Sequence, residues 1–152
     1  MSVTIRQAKV NDLETLYKIE RECFTTEAFT KKQIAYLLQN FNTVSLVAQI
    51  DGETAGFIIG LTYRDKKVRI GHIYTIDVAV KHRRKGIGLR LLEELEQNFV
   101  EKGVETCYLE VSIDNVAARK LYRKQGYIET GRLKGYYPVG THGVQLKKKL
   151  GV

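Results

Sequence analysis

The strongest constraint on the fold is a junction. The stretch HIYTIDVAV (72–80) reads as a strand and runs straight into His82-Arg83-Arg84-Lys85-Gly86-Ile87-Gly88. From there Ile87, Leu91, Leu95 and Phe99 recur every four residues, with Leu92 beside them, which predicts an amphipathic helix to Glu101. A strand that feeds such a helix through a tight turn implies helices packed on a sheet. The glycines matter for a second reason. Without side chains they let backbone N–H groups close on a phosphate, and the helix N-terminus adds partial positive charge. No third glycine completes GxGxxG, and no GxxxxGK[ST] occurs anywhere in the chain. With Arg83, Arg84 and Lys85 directly before it, the turn is a candidate pyrophosphate cradle.

The remaining elements fall in order around this junction. Residues 3–10 alternate as a strand, and Asn11 with Glu14 resembles a capping box opening a helix that carries Leu13, Leu16, Tyr17 and Glu20. Thr30 and Gln33 repeat the start signal ahead of Ile34, Leu37, Leu38 and Phe41. Residues 43–50 and 53–63 read as a hairpin turned by Asp51-Gly52. A strand over 104–113, a helix over 114–125 stopped by Gly126, and two strands near 127–134 and 143–150 complete the chain. There is no repeat, low-complexity run or linker, so residues 1–152 are expected to form one α/β domain. Its sheet should be mixed and mostly antiparallel, with helices on both faces, and not a doubly wound array.

Charge narrows the partner. A net charge of +8 suggests a polyanion: nucleic acid, an anionic surface or a phosphate-rich cofactor. Cys23 and Cys107 form no CxxC pair and read as free thiols, Cys107 buried in an apolar strand. His72, His82 and His142 have no ligand spacing, so no metal is expected. The opening MSVTIRQAKVNDLE has no apolar h-region, and no apolar run approaches the ~20 residues of a membrane span. A cytoplasmic protein without a membrane partner is the expectation.

The turn meets the signature [QR]-x-x-G-x-[GA] with Arg83, Gly86 and Gly88, and through it and the order of elements the chain resembles the GNAT acetyltransferase superfamily. The resemblance covers nearly the whole chain. It implies acetyl-CoA as cosubstrate, its pyrophosphate on the amides of the turn and its pantetheine arm and thioester carbonyl along Val78-Ala79-Val80. Residues 78–91 are then the expected coenzyme site: Val78, Ala79, Val80, Arg83, Arg84, Lys85, Gly86, Ile87, Gly88, Leu89, Arg90 and Leu91. The segment Leu109 to Tyr127 is similar to the LEV…N..A..LY...GF block of the RimI-type N-terminal acetyltransferases. That similarity adds Asn115, either on the pantetheine arm or as a helix cap, and Tyr122 as the acid for the departing thiolate, or else a packing residue. Arg123 and Lys124 would meet the 3′-phosphate or remain solvated.

Parity supplies an independent argument for the base. Cys107, Leu109, Val111 and Ile113 share one face of their strand, so Glu110 falls on the other with Tyr108 and Ser112. A carboxylate in a central strand is costly unless it is paired or functional. An ammonium acceptor must lose a proton before it attacks, and Glu110 is the candidate base, with an ion-paired structural role as the alternative.

The acceptor side resembles the RimI and Ard1 N-terminal acetyltransferases in two further segments, Cys23 to Thr30 and Gly135-Tyr136-Tyr137-Pro138. In that family the two loops flank a peptide N-terminus. Phe24, Phe29, Tyr136 and Tyr137 are the expected walls, with Tyr74 expected on the strand face of Val78 and lining the same groove. The sequence departs from the family at Ala28-Phe29, where Pro-Trp is usual, and at His142-Gly143, where Asp-Ala is common. The implied partners are protein or peptide N-termini, with ribosome association compatible and no specific nucleic acid. Lysine side chains or small amines remain open as acceptors. A nucleic-acid-binding module using residues 81–85 and 147–149 is the reading from another class, although no RNP, zinc-finger or helix-turn-helix signature accompanies them.

Overall fold

The computed structural model describes residues 2–24, 27–137 and 140–151. Strand β1 (Val3–Gln7) leads through a 3-10 turn (Val10–Asp12) into α1 (Leu13–Cys23) and α2 (Lys31–Gln39). The strands β2 (Thr43–Ile50), β3 (Glu53–Asp65) and β4 (Val68–Val78) follow, then a 3-10 turn (Val80–His82) and α3 (Ile87–Glu101). Strand β5 (Val104–Ser112), α4 (Val116–Lys124), β6 (Ile128–Leu133) and β7 (Gly143–Lys149) complete the order. The strands form one sheet, β1-β2-β3-β4-β5-β7-β6, antiparallel everywhere except the β4–β5 pair. The expected class and element order are both observed.

Local signals explain most of the boundaries. Thr30 Oγ1 accepts from the Gln33 amide at 3.1 Å while Gln33 Oε1 accepts from the Thr30 amide at 2.8 Å, a complete capping box at the start of α2. Asp51 at φ 50° and Gly52 at φ 79° turn the β2–β3 hairpin. The start of α1 differs from expectation. Asp12, not Asn11, organises it, accepting from the Lys9 amide at 2.7 Å and pairing with Arg6 at 2.8 Å. Strand β4 starts at Val68 and stops at Val78, because the backbone turns into the 3-10 segment at Val80.

Helices cover the sheet on both faces. One face carries α1 and α2, whose Leu16, Ile19, Ile34 and Leu37 pack on Val47, Phe57 and Ile59. The other carries α3, whose Leu91, Leu92, Leu95 and Phe99 are fully buried in the larger core. Phe99 lies flat on the strands only because Gly60 and Gly71 lack side chains. A Cβ on either would stand 2.7 or 2.6 Å from its ring.

Two irregularities shape the centre. Strands β4 and β5 pair only from Arg69 with Val104 to Ile73 with Leu109, and beyond that rung they part. In addition, Ile59 opposes Thr75 while Gly60 opposes Ile73, so Tyr74 is the extra residue of a β-bulge in β4. The bulge reverses the inward-outward parity. Tyr74 packs with the α1–α2 core while Ile76 and Val78 pack with the α3 core. Tyr74 therefore does not share a face with Val78; the four-residue spacing predicts one face only for an unbroken strand.

Candidate active site

Two clefts border the sheet where β4 and β5 part, and the second reaches into the gap, being lined both by residues of the α1 side and by Ile76, Leu109 and Val111 of the α3-side core. On the α3 side, a cleft of about 520 Å³ is lined by Val78, Arg83, Arg84, Gly86, Ile87, Gly88, Leu89, Leu121, Lys124 and Gln125. On the α1 side, a cleft of about 260 Å³ holds His72, Tyr74, Glu110, Tyr122, Tyr136 and Tyr137 with the two phenylalanines of the α1–α2 loop, Phe24 and Phe29. Each strand still pairs on its outer side, β4 with β3 and β5 with β7, but residues 74–78 and 110–112 lose their pairing with each other. Backbone N–H and C=O groups exposed along such an edge are ready partners for an extended, amide-bearing ligand.

The α3-side cleft is built by its turn. Arg84 at φ 64° and Gly86 at φ 75° swing the chain from the 3-10 segment into α3. Gly86 caps the helix without a side-chain hydrogen bond, so the first amides of α3 point outward unmatched by a cap. A Cβ on Gly88 would meet only Leu121 and Val78, both at 3.7 Å, and would narrow the cleft floor. Arg83, Arg84 and Lys124 surround an opening suited to phosphates.

The other expected coenzyme residues are placed as follows. The Ala79 amide donates to Ala55 O at 2.8 Å, and the Val80 amide donates to Glu22 at 2.6 Å. Lys85 contacts His82 at 3.1 Å, Arg90 turns toward β1 with 3.4 Å to Val3 O, and Leu91 is buried in the core. Arg123 is exposed on α4. Asn115 caps α4, its Oδ1 accepting from the Ala118 amide at 3.1 Å, while the residue also borders the α1-side cleft.

Glu110 sits where parity predicted, with Cys107, Leu109 and Val111 in the α3-side core and its own carboxylate in the opposite cleft. Its main partner is one that sequence reasoning passed over. His72 Nε2 lies 2.6 Å from Glu110 Oε1, and Gln145 donates to Oε2 at 3.4 Å from the facing β7 position. Burial pushes the Glu110 carboxyl up, but the His72, Gln145 and Tyr136 hydrogen bonds outweigh it and hold the group below the ordinary carboxylate value. Tyr74 stands edge-on to His72 with ring centres 4.8 Å apart, and Tyr136 packs edge-on to Tyr137 at 4.9 Å. Phe29 tilts against Tyr74 at 6.3 Å. His142 accepts from the Gly135 amide at 2.9 Å and braces the loop that presents the tyrosine pair. Thr25, Thr26 and Pro138, which belong to the two acceptor-side motifs, lie outside the described residues.

Tyr122 is buried and borders the α1-side cleft. Burial pushes its phenol above the ordinary tyrosine value, so the hydroxyl keeps its proton. Both cysteines are free thiols. Burial raises Cys23 to about 11 and Cys107 to about 12, which makes both poor thiolate nucleophiles. Among the described residues no cluster of three or more His, Cys, Asp or Glu side chains could hold a metal, and no helix is long and apolar enough to cross a membrane. Lys81 pairs with Glu53 at 2.6 Å, Arg83 reaches back to Val78 O at 3.1 Å, and Lys148 turns to Glu96 at 2.9 Å.

The chain belongs to the acetyltransferase (GNAT) family, whose model matches residues 13–127. It is therefore an acyltransferase, and the fold and the turn at Gly86 agree with that membership. An N-alpha-acetyltransferase from Sulfurisphaera tokodaii is 32% identical over 145 residues, covering 90% of this chain and 86% of the relative. The [ribosomal protein bS18]-alanine N-acetyltransferase of Escherichia coli is 30% identical over 139 residues, covering 89% and 87%. In three dimensions the chain is similar to Ard1 from Thermoplasma volcanium, with a TM-score of 0.89, 26% identity and full coverage of both chains.

Proposed function

We propose that the protein transfers the acetyl group of acetyl-CoA to the α-amine of a peptide or protein N-terminus, by direct attack within a ternary complex. The observation that carries the proposal is the opening of β4 from β5 beyond Ile73 and Leu109, through which the aromatic cleft reaches residues of the α3-side core that also borders the cationic cleft. In this reading the coenzyme pyrophosphate lies over Gly86 and Gly88, flanked by Arg83, Arg84 and Lys124. The pantetheine arm pairs with the freed edge of β4 near Val78, and its thioester reaches the gap beside Tyr122. The amine arrives from the opposite side between Phe24, Phe29, Tyr74, Tyr136 and Tyr137.

The proton is handled by a pair. A carboxylate held below its ordinary value is a weak base toward an α-ammonium of pKa about 8. With His72 Nε2–H donated to Glu110, the imidazole keeps Nδ1 as an acceptor. Glu110 orients the ring and stabilises the positive charge it gains, so the two act as one base. The free amine then attacks the thioester carbonyl and the C–S bond breaks; the attacking nitrogen gives up its remaining extra proton while the departing thiolate gains one through the Tyr122 hydroxyl, leaving the amide and the CoA thiol. Direct transfer is supported by the thiol chemistry, because neither cysteine is suited to carry an acyl group.

The names of the relatives support the α-amine as acceptor, and the Escherichia coli relative extends the reading to N-termini of ribosomal proteins. The compartment in this reading is the cytoplasm. The test is a matched pair of peptides, one with a free and one with a chemically blocked N-terminus, assayed for CoA release. The free peptide should turn over and the blocked one should not; equal turnover would refute the assignment.

A further inference from the structure

Beneath the aromatic cleft lie two carboxyl groups that the transfer reaction does not use. Glu20 of α1 and Asp77 of β4 are each 1% exposed, and Thr75 between them is 6% exposed. Thr75 Oγ1 is 2.9 Å from Glu20 Oε1 and 2.5 Å from Asp77 Oδ1. A hydroxyl carries one proton and can donate it once. If both acids were ionised, one of these contacts would set oxygen lone pairs against each other at hydrogen-bond distance in a site almost closed to water. Asp77 Oδ2 also has no partner among the described residues, which is not tolerated for a buried carboxylate. The site therefore lacks one proton when both acids are charged.

The bulge at Tyr74 creates this arrangement, because the reversed parity turns both Thr75 and Asp77 toward α1. The other end of the chain of contacts reaches the acceptor wall. Glu20 Oε2 accepts from the Phe29 amide at 2.9 Å, and Phe29 is the aromatic that closes the cleft against Tyr74. Glu20 and Thr75 themselves border that cleft.

We propose that Glu20 and Asp77 share a single proton through Thr75, and that this proton positions the Phe29 wall of the acceptor site. Asp77 holds it and donates to Thr75 Oγ1, Thr75 donates to Glu20 Oε1, and ionised Glu20 is left to accept from the Phe29 amide. Burial first, and the Glu20 charge second, raise Asp77 well above the ordinary carboxyl value, which agrees with Asp77 as the holder. The charged and titratable groups facing Asp77 are Glu20 and Cys23 from α1, Arg83 after β4 and Tyr122 from α4. Of these only Arg83 favours ionisation. Loss of the proton at alkaline pH leaves two buried like charges with one donor between them, so the hold on Phe29 fails and acceptor binding weakens. Acetyl-CoA binding, on the other side of the sheet, changes less, since it senses Asp77 only through Arg83.

The link to acceptor binding rests on the proposed function, whereas the shared proton does not, and the experiment reads them separately. Infrared spectra of the wild type at neutral pH should contain a protonated-carboxyl band that is missing from Asp77→Asn; identical spectra would overturn the shared proton. With a free-N-terminus peptide, the acceptor KM of the wild type should rise on the alkaline side relative to that of Asp77→Asn, whose neutral amide donates at every pH. Ionisation of the peptide amine is common to both proteins, so only the difference between the two profiles is read. Parallel profiles would overturn the positioning role. Thr75→Val, which removes the hydroxyl and keeps the shape, should raise acceptor KM about two- to tenfold at all pH, the worth of one hydrogen bond, with acetyl-CoA KM unchanged. An unchanged acceptor KM in that variant would likewise contradict the proposal.

Discussion

His72 on β4 and Glu110 on β5 meet at 2.6 Å directly beside the last paired rung of the two strands, Ile73 with Leu109. The contact thus ties the strands together at the point where they begin to part. It also places the imidazole and carboxylate beside the gap where, in the proposed reaction, donor and acceptor meet. A pair of this kind should behave as a unit. Glu110→Gln is expected to lower kcat by about 10²–10⁴-fold. His72→Gln should do the same, and the double variant should be little worse than either single one. Steady-state kinetics of the three variants with acetyl-CoA at saturation test this. Additive losses would mean that the residues act independently.

The coenzyme turn makes a separate prediction. Gly86 has φ 75°, a conformation that costs a side-chain-bearing residue roughly 1–2 kcal/mol, and its amide neighbours face the expected pyrophosphate. Gly86→Asp adds both that strain and a negative charge. Calorimetry should find CoA binding weakened by at least about tenfold, with the thermal transition lowered only by the few degrees that the strain accounts for.

Much of this architecture was legible because it is set locally. The Thr30–Gln33 cap, the Asp51-Gly52 turn and the bounds of α3 each follow from residues within a few positions of one another. Glu110 was also within reach, since strand parity needs only Cys107, Leu109 and Val111. The bulge at Tyr74 was not, because a bulge is defined by which residues oppose it, and the opposing Ile59 and Gly60 lie on another strand. That single shift hid the face of Tyr74 and the meeting of Asp77 with Glu20. His72 was missed for a related reason. It lies 38 residues from Glu110, and only the pairing of β4 with β5 brings them together. The available signal was that both would fall on the same side of adjacent central strands.

The shared proton has a thermodynamic signature apart from catalysis. Below the ordinary carboxyl pKa, Asp77 is protonated in both folded and unfolded chains. As the pH rises from there toward its raised folded value, the unfolded chain has released the proton while the folded chain keeps it, so stability falls, by at most about 1.4 kcal/mol per pH unit. Above the folded value the fall stops. Asp77→Asn has no such slope. Urea unfolding between about pH 5 and 8 should therefore show the variant gaining on the wild type as pH rises. Parallel stability curves would contradict a raised Asp77.

The central claim is that the cleft between the Phe24–Phe29 loop and Tyr136-Tyr137 admits a chain end and delivers its α-amine to the thioester. An internal lysine would have to bring backbone along both sides of itself, against walls that close from two directions. Its amine also titrates roughly two to three units higher than an α-amine and is harder to deprotonate at neutral pH. The measurement that separates the two is mass-spectrometric mapping of the acetyl group on a peptide carrying both a free N-terminus and an internal lysine. Acetylation at the N-terminal residue, with the lysine unmodified until that amine is consumed, is the predicted result; acetylation mainly on the lysine would contradict the account.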